Sequence, residues 1–400
     1  MMIQGSSKSR AHFDFPLAFL AFGMAAFGVL SVAVATYSTS SVPESTILNY
    51  IVSSYYGMRQ AIFFFVSFIA VGVIVWVPYD FIRRRSMLLY YLACGLLAIT
   101  LITNQAQGVK AWTDIVWGYT IQPSEFVKLA CIVVIAKHLE KETDPLGSPR
   151  SWLHLGILMG IPAGLTLLQG EMGSILVIVF IFAVMLFFGG LRIKTMVAII
   201  AAGVAGIALL YGYMMTSGSD NYRLERILSF VNPALVDESA TYQVNNSKIA
   251  IGSGGMYGRG TFVEGAFSQL DYVPEDWTDF IFSTIGEAFG FVGCLLVILG
   301  YLLLLLRMLY LARYTLDRFG QMVIIGVMAM LLFHVFENIG MTTGLMPVTG
   351  IPLPFLSYGG SNMMTNMAGI GLVLNVVKNR SINIMPGVAP QTVNTHKWSR

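Results

Sequence analysis

A chain of 400 residues, 56% hydrophobic and only 11% charged, carries less than half the charge of an ordinary soluble domain. With a mean hydropathy of +0.71, it reads as a membrane protein rather than a water-soluble one. The formal net charge of +3 is too small for a nucleic-acid-binding surface. Cys94, Cys131 and Cys294 lie in apolar stretches without Cys-x-x-Cys or Cys/His spacing, which indicates packing rather than a disulfide framework or a zinc site.

The first apolar run, Phe15 to about Ala35, follows Lys8 and Arg10 as a secretory signal would. It is longer than an h-region. Roughly 20 residues at about 1.5 Å each cross a hydrocarbon core of about 30 Å, so it is read as a retained first helix. Further spans follow at about 61–79, 87–103, 152–169, 172–190, 195–216, 281–306, 320–340 and 362–378. A shorter one at about 125–139 carries Glu125 and Lys128 in its first turn. Counting it leaves Arg83–Arg85, Lys137, Lys141 and Arg150, Arg192 and Lys194, Arg307, Arg313 and Arg318, and Lys378 with Arg380 on one side, the cytoplasmic side by the positive-inside rule. The expected fold is an all-α polytopic membrane protein of about ten transmembrane helices. Residues 1–13 and 379–400 are cytoplasmic tails, 14–378 the membrane domain, and 217–280 one long extracytoplasmic loop. No internal repeat is evident, which argues against transporters built from inverted halves.

Four unusual stretches fall on the outer side of this topology: 108–112 with 122–125, Gln169–Gly173, Gly252–Glu287, and the Pro/Gly-rich run 340–361. Polar and turn-forming residues gathered at one face from distant loops suit a single site. The prolines and glycines of 341–361 predict irregular backbone, which at membrane depth must line a cavity or be buried in protein.

Asp279 stands where the long loop becomes the eighth span. A carboxylate at such a depth faces a wet cavity as base or cation ligand, or it caps the helix, and spacing alone leaves both open. Lys110, Lys128 and Arg259 are cations in outer-side motifs; each suits a diphosphate or snorkels to headgroups. Glu287 and Glu337 read as structural hydrogen-bonding acids, and the His334/Glu337 pair as packing without a third metal ligand. The glycine stretch 252–260 matches no nucleotide-binding loop, and no Gly-x-Ser-x-Gly elbow is present.

Three longer motifs carry a resemblance. Gln122-Pro123-Ser124-Glu125, then Pro274-Glu275 with Thr278-Asp279-Phe280-Ile281-Phe282, and the run from Gly344 to Ser361 resemble the SEDS family (shape, elongation, division and sporulation) over nearly the whole chain. The wording at 340–342 and 350–354 is closest to its RodA elongation branch. The resemblance implies a ten-span peptidoglycan glycosyltransferase that polymerises lipid II into a growing glycan strand, a divalent cation (Mg2+ or Mn2+), and a class B penicillin-binding protein as partner among other elongation-complex membrane proteins. It carries the catalytic role, and the cation, onto Asp279. Substrate-binding roles are expected for Lys110, Trp112, Lys128, Arg259, Glu275 and Ser357. The chain departs from the family at Ala111, Glu171, Trp277 and Ala288.

The location implied is the bacterial cytoplasmic membrane with the site outside. A lipid II flippase is the rival from another class, but a flippase needs a polar path through the midplane, whereas the unusual residues gather at one face. A division or sporulation member of the same family is a nearer rival, and a scaffold that only recruits the transpeptidase would leave the outer acid and cations without a task.

Overall fold

In a computed structural model the described residues are 13–37, 47–102, 112–116, 119–141, 147–198, 201, 238–263, 265–268, 270 and 272–379. Most of the expected span 195–216, and residues 217–237 of the long loop, lie outside them.

The described helices are α1 (Phe15–Ala35), α2 (Ile47–Ser53), α3 (Tyr55–Trp76), α4 (Tyr79–Arg84), α5 (Ser86–Thr100), α6 (Pro123–Leu139), α7 (Pro149–Gln169), α8 (Met172–Phe188), α9 (Glu238–Ser253), α10 (Ile281–Tyr314), α11 (Arg318–Thr342) and α12 (Gly360–Asn379). Local chemistry sets their ends. Asp14 caps α1 by accepting from Leu17 N at 3.0 Å, Ser54 caps α3, and Ser148 with Pro149 opens α7, which Gly170 closes in the left-handed conformation. Five described helices, α1, α3, α7, α10 and α11, are long and apolar enough to cross a membrane, and α5 and α8 are shorter apolar helices.

α12 packs along α3, α11 lies against α6, α8 and α10, and α1 against α10. The core they enclose includes Leu17, Leu97, Ile132, Ile181, Leu304 and Ile324. Arg307 holds Asp14 through both carboxylate oxygens, at 3.1 and 2.6 Å, tying the start of α1 to the far part of α10. Residues 343–359 are non-helical, as their prolines and glycines predict, and Leu353, Phe355, Leu356 and Ser357 are fully buried. A Cβ at Gly28 of α1 would lie 2.1 Å from Phe355 O, so α1 passes directly over this segment.

Several details differ from the sequence reading. A two-stranded antiparallel hairpin, β1 (Thr113–Val116) and β2 (Tyr119–Ile121), precedes α6 in a chain expected to be all α. The long loop contains α9 and a tight glycine turn rather than irregular chain alone. α10 runs to Tyr314, beyond the expected 306, and is broken at Gly290 (φ 67, ψ −164). The turn after α9 seats in this break: Arg259 N and Gly260 N donate to Glu287 O and Ala288 O, while Phe291 N and Val292 N donate to Gly255 O and Met256 O. The carbonyls and amides freed by the break are thus satisfied by the turn.

Candidate active site

The turn before α10 is wound by one residue. Glu275 has φ 60, a conformation that a residue with a Cβ rarely adopts. Its carbonyl accepts from Thr278 N and Phe280 N, both at 3.1 Å, and its carboxylate accepts from Thr278 Oγ1 at 3.0 Å. Three consecutive carbonyls on the other side of the turn are then held by three different partners. Trp277 O accepts from Tyr358 N at 2.8 Å, Thr278 O from Ser357 Oγ at 2.6 Å, and Asp279 O from Asn338 Nδ2 at 2.7 Å. Asn338 also donates to Ile351 O at 2.8 Å, and Gln60, fully buried, bonds Ser357 O and Gly359 N. α3, α11 and the segment 351–359 therefore fix the backbone of Asp279 from several directions. The residue at the helix cap itself is Phe280, which offers no side-chain bond.

Asp279 faces a cavity of about 760 Å³. Its Oδ2 lies 3.2 Å from where a Cβ at Gly350 would stand, so glycine there leaves room for the carboxylate. Deeper in the cavity, Lys128 is 1% exposed and donates to Glu125 Oε1 at 2.7 Å, with His334 Nε2 at 3.0 Å. An ammonium has three donors; these two contacts leave a third for a substrate anion. Glu125 Oε2 is buried with no hydrogen-bond partner among the described residues. Gln122 Nε2 donates to Glu171 Oε1 at 2.5 Å. Burial holds the Glu171 carboxyl, between α7 and α8, above the usual carboxylate range, offset in part by the hydrogen bond from Gln122.

Of the expected site residues, Trp112, Lys128, Glu275 and Asp279 line this one cavity. Lys110 lies outside the described residues. Two expectations need correction. Arg259 does not line the cavity; it is 40% exposed in the glycine turn, 3.5 Å from Glu287. Ser357 is fully buried, its hydroxyl accepting from Leu353 N and donating to Thr278 O, so it positions the turn instead of meeting substrate. Lys128 is too deeply enclosed to snorkel. Glu287 is structural as expected, accepting from Phe267 N and Ser268 N, and Glu337 accepts from Thr349 Oγ1 at 2.9 Å. The reading of the sequence missed Arg59, Gln60, Asn338 and the partnership of His334 with Lys128. Polar side chains inside or beside apolar runs were the available signal.

Apolar helices around a cavity lined by Asp279 and the buried Lys128 fit a multi-pass membrane protein. Comparison with known proteins agrees: the model of the FtsW/RodA/SpoVE family, described as "Cell cycle protein", matches residues 17–382. The chain belongs to this family, the SEDS proteins. Among its relatives is a probable peptidoglycan glycosyltransferase FtsW of Trichlorobacter lovleyi, 32% identical over 92% of this chain and 93% of the relative. Peptidoglycan glycosyltransferase MrdB of Escherichia coli K12 is 32% identical over 77% of this chain and 79% of its own. Stage V sporulation protein E of Bacillus subtilis is 35% identical over 81% and 87%. Among solved structures, a chain from a study titled "Structural coordination of polymerization and crosslinking by a peptidoglycan synthase complex" superposes with TM-score 0.72 at 26% identity, covering 92% of this chain and 98% of that one. The rod shape determining protein RodA of Thermus thermophilus gives 0.66 at 26% identity, covering 92% and 97%.

Proposed function

We propose that this chain is a peptidoglycan glycosyltransferase that polymerises lipid II on the outer face of the cytoplasmic membrane, with about ten spans and both termini inside. Relatives named for that activity cover most of the chain. The single structural observation that carries the reading is the placement of Asp279, its backbone held by Asn338 and its carboxylate in a cavity shared with Lys128.

In this reading the carboxylate of Asp279 takes the proton from the acceptor sugar hydroxyl as that oxygen attacks the donor anomeric carbon, with inversion. The bond to the lipid diphosphate breaks, and negative charge grows on the leaving group. Lys128, with a donor to spare, and Arg59 at the cavity wall stabilise that charge. Glu275 and Trp112 line the same cavity and contact the saccharides.

No group of three or more His, Cys, Asp or Glu able to hold a metal occurs among the described residues. A hard divalent cation such as Mg2+ or Mn2+ takes one or two carboxylates and completes its shell with substrate phosphates and water; Asp279, which lines the cavity, is the carboxylate that would hold it. When bound, it would supply charge neutralisation at the diphosphate.

Within the family the elongation branch is the finer reading, supported by the wording of 340–342 and 350–354; comparable identity to FtsW and stage V sporulation relatives makes division or sporulation the alternative. A class B penicillin-binding protein is the proposed partner, supported by the likeness to a chain from a peptidoglycan synthase complex. Incubating the purified chain with lipid II, alone and with that partner, should give glycan polymer. Movement of lipid II across vesicles without any polymer would favour the flippase.

A further inference from the structure

One wall of the cavity is aromatic. The rings of Tyr56 and Trp277 stack with centroids 5.4 Å apart at 21°, and Tyr358 meets Tyr56 edge-on at 5.0 Å and 84°. All three line the cavity that holds Asp279, and each is only partly buried while packing on its other side against the hydrophobic core. Their geometry is fixed from behind. The Trp277 carbonyl is bonded by Tyr358 N, so the two residues cannot move apart without breaking that bond. Tyr55, one turn from Arg59, carries that guanidinium 4.3 Å from its ring centre, which keeps a cation at the edge of the same wall. All three rings are half-buried and present surface to the cavity, and Trp277 stands two residues before Asp279.

Resting on the glycosyltransferase reading, we propose that Tyr56, Trp277 and Tyr358 form a saccharide shelf, on which the apolar C–H face of an N-acetylated pyranose stacks while Glu275 and Arg59 meet its polar edge. Aromatic faces are electron-rich and accept such polarised C–H groups, and a rigid shelf loses little conformational freedom on binding. The shelf sets where the sugar sits relative to Asp279.

The test separates the shelf from the chemistry. Full-length protein in bilayer discs is titrated with a lipid-free tetrasaccharide of the glycan repeat, which reports the growing strand, and separately with lipid II, which reports the incoming unit, with saturation-transfer NMR on the pyranose ring protons. Wild type and Asp279→Asn should both show transfer to ring protons with one or both ligands. Trp277→Ala and Tyr56→Leu should weaken that binding about tenfold, in the range that aromatic contacts supply, and Trp277→Phe should restore most of it. In polymerisation, Trp277→Ala should raise KM or shorten the product by more than it lowers kcat. Absence of transfer in wild type, or equal binding by wild type and folded Trp277→Ala with both ligands, overturns the shelf. Shelf-dependent binding by a protein that never polymerises lipid II would uphold the shelf and refute the glycosyltransferase reading instead.

Discussion

Asp279 owes its position to side chains that the sequence disperses over almost 300 residues: Gln60 on α3, Asn338 on α11, and Ser357 in the segment before α12. Asn338→Ala removes two hydrogen bonds to buried carbonyls, with an expected stability cost of about 1–3 kcal/mol. Because it also frees the turn, the rate should fall about 10-fold to 100-fold, mainly in kcat; loss of activity only in proportion to loss of folded protein would reduce Asn338 to a packing residue. Glu171 gives a pH signature. A carboxyl held above its ordinary range keeps its proton in the folded protein where the unfolded chain has lost it. Its contribution to stability is therefore present below the ordinary carboxylate pKa and lost as pH rises through the raised one. Melting curves across that window should fall with rising pH in wild type, and fall less in Glu171→Gln. At this scale the sequence exposed the acids and cations but not their partners. Asp279 and Lys128 were legible as charges at membrane depth, but spacing alone left a helix cap open for the first and snorkelling for the second. Ser357 was misread because a motif residue carries no mark distinguishing substrate contact from a bond to Thr278 O.

Among the elements, the break in α10 makes the sharpest prediction. A Cβ at Gly290 would stand 2.3 Å from Gly258 N and 2.7 Å from Tyr257 N, at φ +67, so both the contact and the backbone angle oppose any side chain. Gly290→Ala should cost more than about 1 kcal/mol, lower the melting temperature and open the 254–260 turn to proteolysis. Gly72→Ala on α3, where nothing lies within 4 Å, should melt at or slightly above wild type. The long apolar runs made most of the described helices legible, including the short run that became α6, but not α2, α4 or α9. The hairpin before α6 was not legible, since its strands are only four and three residues long. The break at Gly290 was hidden inside an apolar run, because a glycine there reads the same whether the helix continues or parts.

At the scale of the whole molecule, the alternation of arginine-rich and arginine-poor connections sets the proposed orientation. The three native cysteines are all buried, so single cysteines at Tyr257 and Arg85, both exposed, should report it. In intact cells an impermeant thiol reagent should label Tyr257→Cys and spare Arg85→Cys, and equal labelling would overturn the topology. Sequence motifs led to the family, and residues 17–382 match its model; the branch is less legible because relatives from all three branches lie at 32–35% identity. The central claim is that one carboxylate on this scaffold drives glycan polymerisation, and the most direct test is to assay purified wild type and Asp279→Asn on lipid II, each with the proposed transpeptidase partner and each matched for folded protein by its melting curve. A general base lost to its amide isostere should cost about 10²–10⁴-fold in polymer formation with the melting temperature and partner binding intact; near-normal polymer from Asp279→Asn would contradict the account.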